Sequence, residues 1–265
     1  MFKQDDIAKN FRALHRPADP LVLANVYDAP SASIIASLPT AHAIATSSYA
    51  IAQTLNVPEE SLTKVHTISA LKTIISAVHA SHPTKPVTVD LQDGYGADVT
   101  ELKSTIKDII ALGAVGCNIE DVDNSTGQLR SLSDAVSRVK AAVDAAHEAG
   151  VPNFVVNART DVLFSKGATI QDAVERGRAF REAGAWTVFV WGGPGGRGVS
   201  RDEVSLLVKE LDGMVNVKMN LSEGFLSVEQ IRQLGVARIS VGPELWKSAM
   251  KSFKDQAEFL LDRST

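Results

Sequence analysis

Two rhythms of apolar residues alternate along this chain. Short, almost uncharged runs rich in Val, Ile and Ala give way to longer stretches in which apolar residues return every three or four positions. The first rhythm predicts buried strands and the second amphipathic helices. A helix is expected over Asp5–His15, with Ile7, Phe11 and Leu14 on one face, before Arg16-Pro-Ala-Asp-Pro20 breaks it. Strands are expected at Leu21–Val26, Ala43–Thr46, Val87–Asp90, Gly116–Ile119, Phe154–Asn157, Trp186–Val190, Val215–Met219 and Arg238–Val241. Helices are expected at Pro30–Ser37, Leu62–Ala80, Val99–Leu112, Leu132–Ala149, Ile170–Ala183, Arg201–Leu211, Val228–Leu234 and Glu244–Leu261. Gly113, Gly150, Gly184 and Gly235 stand where helices commonly stop. Leu55–Ser61 and Asp123–Arg130 read as polar loops.

Eight strands, each followed by a helix, imply a parallel sheet. Eight such units in 265 residues fit an α/β fold made of a single (β/α)8 TIM barrel, one domain over 1–265 with a short N-terminal helix. A doubly wound open sheet is the alternative, but no Gly-x-Gly-x-x-Gly follows the first strand. A net charge of −4, with no Lys/Arg cluster on a likely face, argues against a nucleic-acid surface. No apolar run approaches the ~20 residues that span a bilayer. Cys117 is the one cysteine, which excludes an internal disulfide and a Cys-rich zinc site. The polar start, Met1-Phe-Lys-Gln-Asp-Asp, lacks the apolar core of a signal peptide, and a cytoplasmic protein is expected.

Catalytic groups of such barrels sit at the carboxyl ends of the strands. One position per strand gives Asp28, Ser47, Asp90, Glu120, Arg159, Trp191, Asn220 and Gly242. Asp90 ends a buried strand, where an unpaired carboxylate is costly unless it faces a cation or a donor. The Gly94-Tyr95-Gly96 that follows allows a sharp turn beside it; an Asx-type turn closing the strand is the plainer account. Asp90 and Glu120, with no histidine at any strand end, form an oxygen-only set suited to Mg²⁺ or Mn²⁺ and not to zinc. Arg159 at a strand end suggests an anion held by two hydrogen bonds, or an internal ion pair with Asp90 or Glu120. Ser47, Ser48 and Tyr49 could meet a substrate oxyanion or merely cap their strand. Trp191 reads as a pocket wall, and Gly192–Gly198, with Arg197, as a flexible loop that is not a P-loop. Cys117 reads as a small buried hydrophobe.

Taken in order, these segments resemble the phosphoenolpyruvate mutase/isocitrate lyase superfamily, especially its small carboxyphosphonoenolpyruvate phosphonomutase-like members. The resemblance runs from about Leu21 to about Phe253. It rests on Leu23-Ala-Asn-Val-Tyr-Asp-Ala-Pro-Ser-Ala32, Thr46-Ser-Ser48, Asp90-Leu-Gln-Asp-Gly-Tyr-Gly96, Ile119-Glu-Asp121, Asn157-Ala-Arg-Thr-Asp161 and Ser240-Val-Gly-Pro243. It implies a Mg²⁺-binding barrel that makes or breaks a C–C or C–P bond of a small 2-oxo or 2-hydroxy carboxylate through an enolate of pyruvate type. It also implies a homo-oligomer, dimer or tetramer, often with the last helix exchanged between subunits. By the same resemblance, Asp90 would hold the metal directly and Glu120 through water. Ser47, Ser48 and Arg159 would hold the substrate carboxylate, Glu59 matches an acid near the metal, and Asn220 an asparagine of the pocket wall.

Three departures stand out. Gln92 replaces the motif's second Asp; it can bond a metal-bound water but brings no charge. The segment Val122–Arg130 is short and lacks the Cys-bearing loop of the isocitrate and methylisocitrate lyases and the lysine and asparagine of the mutase. Ala45 stands where an aromatic residue packs near the substrate, which suggests a roomier pocket. The expectation is a Mg²⁺-dependent lyase or mutase; the alternative is a non-catalytic carboxylate-binding barrel that has lost the catalytic loop.

Overall fold

The polar breaks between apolar runs become caps, and the caps set where each element starts. Asp28, Thr63, Asp98, Ser131, Ser200 and Ser227 each accept a hydrogen bond from a backbone N–H in the first turn of the helix that follows. In the computed structural model, which describes residues 3–192 and 199–262, the elements run α1 (Gln4–Ala13), β1 (Leu21–Leu23), β2 (Asn25–Val26), α2 (Ala29–Ser37), β3 (Ile44–Thr46), α3 (Ser48–Thr54), α4 (Lys64–Ser81) and β4 (Val87–Asp90). They continue α5 (Val99–Leu112), β5 (Gly116–Glu120), β6 (Val122–Asp123), β7 (Gln128–Leu129), α6 (Leu132–Glu148), β8 (Val155–Thr160), α7 (Ile170–Glu182) and β9 (Thr187–Val190). The last are α8 (Arg201–Glu210), β10 (Val215–Lys218), α9 (Val228–Gln233), β11 (Arg238–Ser240) and α10 (Glu244–Asp262).

The parallel sheet closes into the expected barrel, in the order β1-β11-β10-β9-β8-β5-β4-β3-β2. Its first and last members are two halves of one strand. Leu21–Leu23 pairs with Arg238–Ser240, whereas Asn25 and Val26 pair with Ala45 and Thr46. The first strand therefore splits its hydrogen bonds at Ala24 and joins the eighth strand to the second. The Asn25 amide holds this seam: its Nδ2 donates to the Thr46 carbonyl at 2.7 Å, and its Oδ1 accepts from the Val241 and Gly242 N–H groups at 3.0 and 2.9 Å.

Two expected loops carry structure. Ser47 caps α3, so the chain after β3 enters a helix at once, and a 3-10 turn covers Glu59–Ser61. Asp123–Arg130 belongs to an antiparallel hairpin, with Val122 opposite Leu129 and Asp123 opposite Gln128. Helix α1 closes the amino end of the barrel. Phe11 is fully buried, with its ring beside Gly116, and the Trp186 indole donates to the Arg12 carbonyl.

The barrel interior is more polar than the apolar strand runs suggest. Asn118, Asn157 and Thr187 form a hydrogen-bonded chain across β5, β8 and β9, and the buried Arg238 donates to Asn118 Oδ1 at 3.2 Å. Its guanidinium falls to a pKa of about 10 because burial disfavours the charge. Cys117 is buried, and burial pushes its thiol up, as befits an inert core residue. No helix among the described residues is long and apolar enough to cross a membrane.

Candidate active site

Because β3 ends at Thr46 and α3 begins at Ser48, the Ser48 N–H is left free of the sheet. It turns to Asp90 at the end of β4 and donates to Asp90 Oδ2 at 3.1 Å. Ser48 Oγ lies 2.9 Å from the same oxygen and 2.6 Å from Glu59 Oε1. A hydroxyl has one proton, so bonding both carboxylates requires a proton on one of them. Glu59 suits that role. Burial raises its pKa and the Asp90 charge raises it further, against the opposing bond from Ser48.

Arg159, on β8, is engaged on three sides. Its Nε and Nη2 donate to the two carboxylate oxygens of Asp161, each at 2.6 Å, and its Nη1 lies 2.8 Å from Glu120 Oε2. The expected ion pair with Glu120 is present, but the bidentate partner is Asp161. Burial would lower the Arg159 pKa; Glu120 and Asp161 outweigh it and raise it. Glu120 is driven well above the ordinary carboxylate range by burial and by the neighbouring acids, Arg159 notwithstanding. Asp121 points the other way: it receives the Asp161 N–H at 2.8 Å and pairs with Arg176 at 3.0 Å.

The turn after β4 is fixed from behind. Gln92 and Tyr95 adopt left-handed φ of 51° and 59°, and Gly94 has φ 94°. A Cβ on Gly94 would lie 2.3 Å from Leu102 Cδ1, so only glycine fits. Arg138, buried in α6, donates to the carbonyls of Asp93 and Gly96 at 2.6 and 3.0 Å. Asp93 pairs with Arg130 at 3.2 Å and so ties the turn to the β6–β7 hairpin. It does not replace the acid missing at Gln92. The Gln92 amide donates to the Glu59 carbonyl at 3.0 Å, while its buried Oε1 has no partner.

These groups meet at a cavity of about 510 Å³ at the carboxyl ends of the strands. Of the residues singled out in the sequence, Ser47, Ser48, Tyr49, Glu59, Asp90, Arg159, Trp191, Asn220 and Gly242 line it. Glu120 and Gln92 lie behind that wall. Asp28 is not at the site, since its carboxylate accepts from Ser31 N–H as the cap of α2. Ala45 is buried and is not itself among the residues that line the cavity. Of the expected glycine-rich loop, residues 193–198 lie outside the described part of the chain. A second hollow, about 450 Å³ between Leu14, Ile35, Leu38 and Arg232, lies away from these carboxylates.

The structure adds residues that reading one position per strand misses. Lys218 lies one alternation before Asn220, and its ammonium is 3.0 Å from Glu244 Oε1 at the start of α10. Phe189 and Trp191, also two apart, both face Arg159, with ring centroids 5.7 and 5.3 Å from its guanidinium carbon. The period of two along β9 and β10, counted back from Trp191 and Asn220, is the signal that would have found Phe189 and Lys218.

Comparison with known proteins agrees with this geometry. A candidate phosphonomutase from Burkholderia cenocepacia J2315 is 35% identical over 97% of this chain and 99% of its own, with a TM-score of 0.86. The solved 2,3-dimethylmalate lyase is 25% identical over 98% of this chain and 88% of its own, with a TM-score of 0.83. The 2-methylisocitrate lyase of Escherichia coli strain K12 is 36% identical over 111 residues, 39% of this chain and 36% of that enzyme, so the match covers about a third of this curated relative. The Phosphoenolpyruvate phosphomutase (PEP_mutase) family matches residues 11–261, nearly the whole chain. With the closed barrel and the ordered segments from Leu23 to Pro243, that match places the chain in the phosphoenolpyruvate mutase family, within the PEP mutase/isocitrate lyase superfamily.

Proposed function

We propose that this chain is a Mg²⁺- or Mn²⁺-dependent enzyme that makes or breaks a C–C or C–P bond of a small 2-oxo or 2-hydroxy carboxylate through an enolate of pyruvate type. The observation that carries the proposal is the buried acid set at the strand ends. Asp90 and Glu59 meet at Ser48 while Glu120 meets Arg159, and burial first, then the neighbouring acid charges, raises Glu59 and Glu120, beside an amide oxygen with no partner. Like charges held together in a buried site call for a cation. Among the described residues, no three His, Cys, Asp or Glu form a ligand cluster. Magnesium takes one or two carboxylates and keeps its waters, which suits this set. Asp90 would hold the ion directly and Glu120 through water. Gln92 Oε1 would accept from one of those waters, and Glu59 would stand by as a further acid.

When bound, the ion would supply a Lewis acid for the oxygen that gains charge in the reaction. The chain's own groups do the rest. Arg159, held in orientation by Asp161, offers its remaining N–H groups to the substrate carboxylate. Ser47 and Tyr49 supply donors at the start of α3, and Ser48 would join them by exchanging its bond to Glu59 or Asp90 for one to the substrate. Trp191 and Asn220 form the wall against which the remainder of the substrate rests. The same reading places a single-domain barrel in the cytoplasm as a dimer or tetramer. Met250, Phe253 and Leu261, exposed on α10, supply an apolar face for such an assembly.

A second reading, a carboxylate-binding barrel without turnover, draws on the β6–β7 hairpin, which has neither cysteine nor lysine. Calorimetric titration of metal-free protein with oxalate, a mimic of the pyruvate enolate, tests the first reading. Binding that requires Mg²⁺ and disappears in Asp90→Ala is expected. No binding to the wild type under any condition would overturn it, and binding without cleavage of any 2-oxo or 2-hydroxy acid would favour the second.

A further inference from the structure

The charges at the mouth are unevenly shared between its two sides. On one side, the Arg159 guanidinium sits between Glu120 and Asp161, a surplus of negative charge. On the other, Glu244 Oε1 lies 3.0 Å from Lys218 Nζ and 3.4 Å from Lys247 Nζ, two ammonium groups on one carboxylate. The ring order spreads these groups around the mouth: three strands separate β4, which ends in Asp90, from β10, which ends in Lys218, in either direction, while Arg159 on β8 stands between them, one strand from β10 and sharing the Trp191 ring with Lys218. All of Asp90, Arg159, Lys218, Glu244 and Lys247 line the one cavity.

Lys218 is built into this place. Its side chain is only 14% exposed and its ammonium lies 5.5 Å from the centre of the Trp191 ring. A Cβ on Gly242 would lie 3.2 Å from Lys218 Cε, so the glycine leaves room for the stem to pass. A salt bridge that only fastened α10 to β10 would need one lysine. Here a second lysine shares the same oxygen and leaves one positive charge unbalanced, facing the cavity.

We propose that Lys218, oriented by Glu244 and assisted by Lys247, is a specificity-determining residue. It takes a carboxylate at the far end of the substrate, so that the site favours acids with a charged tail over those ending in a methyl group. The inference rests on the proposed placement of the reacting carboxylate beside Asp90 and Arg159.

The test is calorimetric titration of the full Mg²⁺-loaded chain with two matched pairs, malate against 2-hydroxybutyrate and 2-oxoglutarate against 2-oxopentanoate, with oxalate as a separate probe of the other end. The wild type is expected to bind the dicarboxylate of at least one pair about tenfold or more tighter, a difference of about 1.4 kcal/mol. Lys218→Met should bring that ratio close to one and leave oxalate binding unchanged, whereas Lys218→Arg should keep most of the ratio. Should Lys218→Met fail to fold because Glu244 is stranded, the double variant Lys218→Met/Glu244→Gln removes the stranded charge and gives the same reading. A wild-type ratio near one in both pairs, or a ratio that survives the loss of Lys218, overturns the proposal. Loss of oxalate binding with a Lys218-dependent ratio intact would instead defeat the enolate reading and support the subsite.

Discussion

Changing Gln92 to Glu replaces a neutral oxygen by a charged one at nearly constant shape, and the consequences can be worked through. Gln92 is 4% exposed. Its Nε2 donates to the Glu59 carbonyl and its Oε1 has no partner. Gln92→Glu replaces the amide donor by a carboxyl that can donate to that carbonyl only while protonated, so ionisation strands the carbonyl at about 1–3 kcal/mol. It also buries a further carboxylate beside Glu59, so its folded-state pKa rises. The folded protein then holds a proton that the unfolded chain has released, and the loss grows with pH by about 1.4 kcal/mol per unit until the folded group ionises. A total near 3 kcal/mol would lower Tm by roughly 6–12 °C in a chain of this size. With Mg²⁺ present most of that loss is recovered. A double positive charge about 4 Å from the new carboxylate gains about 2 kcal/mol even at the dielectric of water, roughly 30-fold in affinity. Thermal unfolding at pH 5 and pH 8, with and without Mg²⁺, together with Mg²⁺ titration, reads both effects. A variant that melts with the wild type at both values of pH and binds Mg²⁺ no more tightly would refute the placement of the Gln92 oxygen beside the cation.

Two further outcomes follow from buried positions. Gly94→Ala must adopt φ near 94° and press its Cβ on Leu102, so urea unfolding should show a loss of about 2–5 kcal/mol; Gly127→Ala, with φ 66° and nothing within 4 Å, should cost much less, and equal losses would show that the Leu102 contact is immaterial. His15 is buried, bonds the Phe11 carbonyl at 2.9 Å and titrates near about 3, mainly through burial and then through Arg238. Its unfolded form takes up a proton below ~6.5 while its folded form does not, so stability should fall by about 1.4 kcal/mol per pH unit between pH 6 and pH 4.5 relative to His15→Gln; parallel pH curves for the two proteins would refute this.

Much of this architecture is legible in the sequence because each strand is an apolar run that ends in a polar residue. Asp90, Ser47 and Arg159 could be placed at the cavity wall on that ground alone. What lay out of reach were partners distant in sequence. Nothing near Arg159 in the chain ranks Asp161, two residues on, above Glu120 or Asp90 as the bidentate partner; the turn of β8 into its following loop decides it. The helix Ser48–Thr54 goes unassigned in the sequence because seven residues show about two turns of periodicity, although Ser47 is a good cap. Lys218 escapes notice when its strand is read to Met219 and only the last polar residue is taken. The interior amides Asn118, Asn157 and Asn216 each look like an interruption of an apolar run until the barrel closes and joins two of them to each other.

The divided first strand also governs when this protein can finish folding. The pairing of Leu21–Leu23 with Arg238–Ser240, and the Asn25–Val241 bond across 216 positions, cannot form until nearly the whole chain has left the ribosome. Until then the growing sheet has an open edge at each end, and each edge can pair with a neighbouring chain. Contacts so distant in sequence make closure slow compared with forming any one strand–helix unit. The interval between synthesis of the first and eighth strands is therefore when this barrel is most exposed to misassembly, and a mutation at Asn25, which both holds the seam and lines the cavity, would weaken the closure that ends it.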